Sequence, residues 1–305
     1  MGDGNDRIIG DHRALSRRAM LAGGLALGAV GALPPSLSAA PTAGAPKGST
    51  GGSMLLRNIL LETGYVRDGD DFVGTQTGTF SLLVKDGRIA AILPANAAAP
   101  TGVSAYDGDG MLVLPAFKDM HIHLDKTFYG GPWVPPLKRK NGIPGQIERE
   151  RSLLPQMLPT LEERAGKLVE LLQGNGTTFA RSQCNVDPVQ GTKHVEMLKH
   201  ALDQRADTFS YEIVAFPQHG FVSANMIPTM RAALAAGATH VGGIDPTAVD
   251  GGMERSVDAM MELAVDMNKS VDIHLHEPGA SGVAAIRRIA DRVERTPALK
   301  GKLTI

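Results

Sequence analysis

Cysteine is nearly missing from this chain: Cys184 is the only one among 305 residues. That excludes a disulfide framework and a zinc site built on clustered thiolates. It also excludes the zinc deaminase class whose signature couples H-x-E to P-C-x-x-C. Aromatic residues make up only 4% of the sequence, too few for a base-stacking platform. Charge of one sign is not in excess either, with 31 basic residues against 32 acidic ones. Neither nucleic acid nor an anionic membrane surface is therefore expected as a partner. No H-E-x-x-H occurs, so a zincin protease has no support. No G-x-G-x-x-G follows a strand-like run, which weakens a nucleotide-binding reading.

What is present begins with an export-like leader. Arg17 and Arg18 form a pair after Ser16, followed by an apolar run rich in Gly and Ala from Ala19 to about Leu33. The run is too short and too small-sided to span a membrane stably. It resembles a twin-arginine signal, although Met20 and Ala22 depart from the usual residues of that motif. Residues 1–45 are thus expected to be signal peptide and linker. The mature protein is expected in the periplasm or outside the cell, free of the membrane.

After a flexible stretch, "PKGSTGGS", residues 54–115 read as a small all-β, sandwich-like domain. Its predicted strands are "MLLRNILLE", "FSLLVKDGRIAAILP" and "GMLVLPAF", with Asp86-Gly87 at the centre of a hairpin turn. From about residue 116 the pattern changes. Predicted strands at 120–124, 177–182, 211–216, 239–244, 271–276 and 303–305 alternate with predicted helices near 160–174, 191–206, 225–236, 252–268 and 280–295. Gly174 and Gly237 are read as helix stops. This rhythm implies parallel strands with crossover helices, in a doubly wound sheet or a (β/α)8 TIM-type barrel. Six strands are two short of a barrel, so the barrel is expected to be incomplete at the C-terminus and the sequence to be a fragment or truncated reading frame.

Polar residues collect at the predicted C-terminal strand ends: His121, His123, Gln183, Gln218, Asp245, His274 and Glu277. In a barrel those ends form the active face. His121 and His123, in "MHIHLDKT", share one side of a strand because side chains alternate with period two. Two imidazoles entering the same space can bind one divalent ion. A lone H-x-H is a weak signal, equally consistent with two half-buried histidines capping a strand. In "VDIHLHEPG" a third imidazole becomes available from His274 or His276, and geometry alone does not choose between them. Three imidazole nitrogens suit Zn2+ or Fe2+, and such an ion lowers the pKa of a bound water toward 7. Glu277 stands where it could move protons between that water and a leaving group; its bland alternative is a carboxylate in the first turn of a helix.

Four ordered motifs, "LPAFKDMHIHLDKTFYGGPW", "RSQCNVDP", "VAFPQHGF" and "VDIHLHE", resemble the cytosine deaminase-like branch of the amidohydrolase superfamily, from about residue 54 onward. The resemblance implies a β-sandwich-like domain attached to a metal-dependent (β/α)8 barrel. By motif position it implies His121, His123 and His274 as metal ligands, the last in preference to His276, and Glu277 as the catalytic acid/base. Gln218 matches a glutamine that hydrogen-bonds the substrate's amide-like edge, and Trp133 and Asp245 are expected to contact substrate with it. Asp125 and Lys126 lie with Trp133 on the loop after the first barrel strand, without an assigned role.

Gln183 and Asn185 stand where relatives often carry histidine and aspartate, which leaves the substrate open. The family's sixth-strand histidine and eighth-strand aspartate have no counterpart before Ile305. His194, His200 and His240 are read as surface or packing residues, His219 as a candidate pocket residue, and Cys184 as a small buried side chain.

The leading expectation is a metal-dependent hydrolase that cleaves a C–N bond of a small nitrogen heterocycle, cytosine or an ammelide-type triazine or another cyclic amidine. The alternatives are a catalytically inactive binding protein of the same fold and, more remotely, a nucleotide-binding α/β module. Metal identity and any homo-oligomeric state stay open.

Overall fold

The computed structural model describes residues 52–135 and 141–305. The expected leader and most of the flexible stretch lie outside the described residues. The chain divides into two compact units, the first ending at Val113 and the second running from Leu114 to Ile305.

The first unit contains a four-stranded sheet of order β3-β2-β1-β4, with β1 at Ser53–Asp68, β2 at Asp71–Lys85, β3 at Arg88–Pro94 and β4 at Ser104–Asp107. The β2–β3 turn behaves as its sequence predicts: Asp86 and Gly87 have φ of 49° and 72°, the left-handed pair that a tight hairpin demands. Three expectations for this unit change. Among the described residues it holds one sheet, with no second layer to make a sandwich. Strands β1 and β2 run well past their apolar cores into a polar ribbon. There Tyr65 pairs with Thr75, and Tyr65 packs edge-on to Phe72 at 5.0 Å. Backbone pairing, which needs no apolar pattern, extends the strands. The run "GMLVLPAF" contributes only a single bridge, Leu60 to Leu112, before strand β5 begins at its last residue. The fourth strand is the exposed "SAYD", parallel to β1.

The second unit is a curled, all-parallel half-barrel sheet with strands in chain order. These are β5 (Phe117–Ile122), β6 (Thr177–Val186), β7 (Ser210–Pro217), β8 (His240–Ile244), β9 (Ser270–His274) and β10 (Leu303–Thr304). The helices are α1 (Gly142–Met157), α2 (Leu161–Gly174), α3 (Lys193–Asp203), α4 (Ile227–Ala235), α5 (Met253–Asp266) and α6 (Gly279–Arg295). Each of the last five follows the 3.6-residue apolar period; α1 was not expected. Gly237, at φ 124°, closes the α4 turn as anticipated. The α2 stop is made by Gly176 at φ 83°, two residues beyond the expected Gly174.

Parallel strands covered by helices are apolar throughout. Accordingly Ile213, Ala215, Val241 and Val271 are fully buried in one cluster with Leu198, Met230, Val257 and Met260 from the helices. On one face of the sheet, Arg181 on β6 bridges Glu212 on β7 at 2.7 Å and Asp272 on β9 at 2.9 Å. Two residues beyond Asp272, the same strand face presents His274. Period-two alternation thus carries one face from an ion cluster to the candidate site.

A histidine cluster at the strand ends

His121 is the penultimate residue of β5, His123 lies one residue past that strand, and His274 is the last residue of β9. One ring nitrogen from each lies within 4.8 Å of the other two. The ring centroids are 4.5 Å apart for His121 and His274, 5.8 Å for His121 and His123, and 5.9 Å for His123 and His274.

The electrostatics keep the two deeper imidazoles neutral. Burial pushes His123 down to about 4, helped by the Lys126 ammonium. Burial also pushes His274 down to about 3, with further lowering from His121 and His123. A neutral imidazole offers a lone pair, which is what a metal needs. His123 Nδ1 is 2.9 Å from the Gln183 carbonyl oxygen. A proton donated there fixes the tautomer and leaves Nε2 as the free acceptor. Both nitrogens of His274 are buried with no hydrogen-bond partner among the described residues, a costly arrangement unless something else engages them. The donor set and the orphaned nitrogens together fit one divalent transition ion held by His121, His123 and His274.

A cavity of about 320 Å³ opens on this cluster, lined by His123, Lys126, Glu150, Phe216, Gln218 and His274 among others. Gln218, directly after β7, is buried, and its Oε1 accepts a hydrogen bond from Lys126 Nζ at 3.2 Å. Lys126 also pairs with Glu150 at 2.9 Å. Lys126 was noted in the sequence without a role, and Glu150 was missed with its helix. Its signal was the Gln146–Glu150 spacing of four, which puts both side chains on one helix face; Gln146 Nε2 donates to Glu150 Oε1 at 2.6 Å.

Three expected site residues lie elsewhere. Trp133 is 81% exposed on its loop and lines neither this cavity nor the ones beside it. The motif alone could not reveal that exposure. Asp245 is buried, with both oxygens committed to His276, one to its backbone N–H at 2.6 Å and one to Nδ1 at 3.0 Å. Its φ of 34° places this non-glycine residue in a left-handed conformation, an arrangement found at constrained sites. Asp245 therefore positions His276. Glu277 accepts hydrogen bonds at Oε1 from the backbone N–H groups of Thr247 and Ala248, at 2.6 and 2.8 Å. It lines a neighbouring cavity with Asp245 and Ser281, and His276 borders both cavities.

Behind the cluster, buried Asp125 accepts hydrogen bonds from the Asn185 amide and from His194 Nδ1, each at 2.9 Å. The Leu124 amide donates to Ser182 Oγ at 3.0 Å. These bonds clamp the segment after β5 onto the end of β6. His194, fully buried in α3, is thus part of the scaffold that positions His123. His219 does not line the histidine cavity.

No protein-family model matches the chain. It is 49% identical over 252 residues to the uncharacterised YahJ of Escherichia coli (strain K12), covering 82% of this chain and 55% of that one. It is 31% identical over 208 residues to the N-isopropylammelide isopropyl amidohydrolase of Pseudomonas sp. (strain ADP), covering 65% and 50%. Among solved structures, N-isopropylammelide isopropylaminohydrolase from Burkholderia multivorans superposes with a TM-score of 0.69 at 30% identity, over 83% of this chain and 60% of that one. The 5-methylcytosine deaminase from Klebsiella pneumoniae, liganded with 5-fluorocytosine, superposes with a TM-score of 0.65 at 28% identity, over 82% and 57%. The chain spans about half the length of the curated relatives it matches. The named relatives and structural neighbours are amidohydrolases and a deaminase, and the chain belongs with them to the amidohydrolase superfamily, consistent with a cytosine deaminase-like branch.

Proposed function

We propose that the protein is a metal-dependent hydrolase that cleaves a C–N bond in a small cyclic amidine or amide, releasing ammonia or an amine. The observation that carries this reading is the convergence of His121, His123 and His274 to within 4.8 Å at the C-terminal strand ends, where barrel enzymes of this architecture do their chemistry. The supporting observation is that named relatives are hydrolases of ring-attached nitrogen, an N-isopropylammelide amidohydrolase and a 5-methylcytosine deaminase.

A divalent Zn2+ or Fe2+ held by the three imidazoles supplies, when bound, Lewis acidity and a water acidic enough to act near neutral pH. The remaining work falls to the chain. Gln218 and Lys126 hold the ring in the cavity. Phe216, whose ring centroid is 4.5 Å from that of His274, gives the heterocycle an apolar wall and excludes water. Glu277 transfers the proton to the leaving nitrogen; its Oε2 is buried and without a partner, and catalytic hydrogen bonds commonly tighten only once substrate is in place. That role requires the carboxylate to turn from the Thr247 and Ala248 amides toward the histidines. The Arg17–Arg18 leader supports export of the folded protein.

The test is release of ammonia or amine from cytosine and from an ammelide-type triazine by protein loaded with Zn2+ or Fe2+. Turnover lost on chelation and restored by the metal is the expected result. A loaded protein that turns over no cyclic amidine or amide contradicts the reading.

A further inference from the structure

The cavity contains a charged pair that the metal chemistry does not use. Lys126 and Glu150 have side chains only 12% and 8% exposed. Taking both charges out of water costs several kcal/mol per ion before their attraction offsets it, so a purely structural role would be served better by apolar side chains. The pair also stands between two cavities. His123, Lys126, Gln146 and Glu150 line both the histidine cavity and an adjoining space of about 360 Å³ bordered by Phe128, Leu154 and Met157.

An ammonium has three N–H donors and no acceptor. In Lys126 one donor goes to Glu150 at 2.9 Å and one to Gln218 Oε1 at 3.2 Å. No hydrogen-bond acceptor among the described residues takes the third; Nζ lies 5.7 Å from the Phe216 ring centroid and borders the cavity. The bond to Gln218 has a second effect. With Oε1 engaged by the ammonium, the two Nε2 donors of the amide remain for a ligand. The wall facing the histidines therefore offers hydrogen-bond donors from two side chains, one of them cationic. Glu150, held in turn by Gln146 at 2.6 Å, acts behind the ammonium as its counter-ion.

We infer that Lys126, fixed by Glu150, is a specificity-determining residue, and that the site selects rings with an oxo group, neutral or ionised to an oxyanion, over rings whose corresponding substituents are all amino. The inference rests on the proposed heterocycle chemistry and sharpens it. A donor wall pairs with a carbonyl or an oxyanion, whereas an amino group meets it donor to donor and leaves both sets of protons unpaired.

The test uses two triazines of one size, cyanuric acid with three oxo groups and melamine with three amino groups. Binding to the metal-loaded full chain is measured by calorimetry, for the wild type, for K126M and for the double variant K126M/E150Q. The double variant removes both charges together and so avoids stranding one of them in the interior. Cyanuric acid is expected to bind the wild type about tenfold to hundredfold more tightly than melamine, the range for a hydrogen bond to a charged group. Both variants are expected to lose that preference while keeping the metal content of the wild type. In turnover of an oxo-bearing substrate, the loss should fall on KM more than on kcat. Equal binding of the two rings, or an unchanged preference in a folded double variant, overturns the inference and leaves the hydrolase reading standing. Failure of either ring to bind the metal-loaded wild type, together with absence of turnover, overturns both.

Discussion

The outer ribbon of β1 and β2 and the C-terminal ends of the parallel sheet are both polar in sequence, yet they are opposite in kind. Along the ribbon, the side chains of Thr75, Gln76 and Thr77 are exposed, so water can meet whatever hydrogen bonding the fold leaves open beside contacts such as Thr75 to Glu62. At the strand ends, Gln183, Asn185, Gln218 and Asp245 are each less than 5% exposed. Buried polar groups there need a partner from the protein or a ligand, and several find none among the described residues: Nε2 and Oε1 of Gln183, both nitrogens of neighbouring His274 and Oε2 of Glu277. Polarity that can be satisfied by water says little about function. Polarity buried at one end of an otherwise apolar sheet, and left short of partners, marks the place where something else binds.

That contrast can be tested from its largest expected effect downward. Leu198 is fully buried in the core beneath the strand ends, and Leu198→Ala should cost about 2–5 kcal/mol of unfolding free energy in urea titrations. Asp125→Ala, which strips the partner from His194 and from the Asn185 amide, should cost about 2–4 kcal/mol in the same assay. It should also weaken metal retention, because the segment carrying His123 loses its clamp.

Acidity should act on the cluster next. The folded-state values of about 4 for His123 and about 3 for His274 lie below the ordinary 6.5, so between pH 6.5 and about 4 the unfolded chain binds more protons. The stability of the metal-free protein should therefore fall as pH falls through that window, by up to about 1.4 kcal/mol per pH unit for each histidine. Denaturant midpoints at pH 7, 6 and 5, compared with those of H123N/H274N, measure this; a parallel pH slope in the variant would mean that other groups carry it. Smallest of all, Thr77→Ala on the exposed ribbon should change stability by no more than about 0.5 kcal/mol. A larger loss would show that the ribbon is not simply solvated.

The same contrast explains what was legible beforehand. Strands β6 to β9 and helices α2 to α6 announce themselves because each buries an apolar face, and periodicity records burial. The ribbon is held by backbone pairing between polar residues and leaves no such trace. Helix α1 hides behind Pro144, Gly145 and Pro155, residues that ordinarily argue against a helix, and Glu150 was hidden with it. At the site, H-x-H and the later His-Glu motif pointed to the cluster through simple alternation. The commitment of Asp245 to His276, the pairing of Asp125 with His194, and the exposure of Trp133 depend on distances between segments far apart in sequence. No local pattern encodes those distances.

The central claim is that His121, His123 and His274 hold one ion. Metal content of the purified protein, measured by inductively coupled plasma mass spectrometry beside H121A, H123A and H274A, tests it directly. About one divalent transition metal per chain in the wild type, reduced at least tenfold in each variant that stays folded, is the result the account predicts. A wild-type protein that retains no metal after incubation with Zn2+ or Fe2+, or variants that bind as much as the wild type, would contradict it.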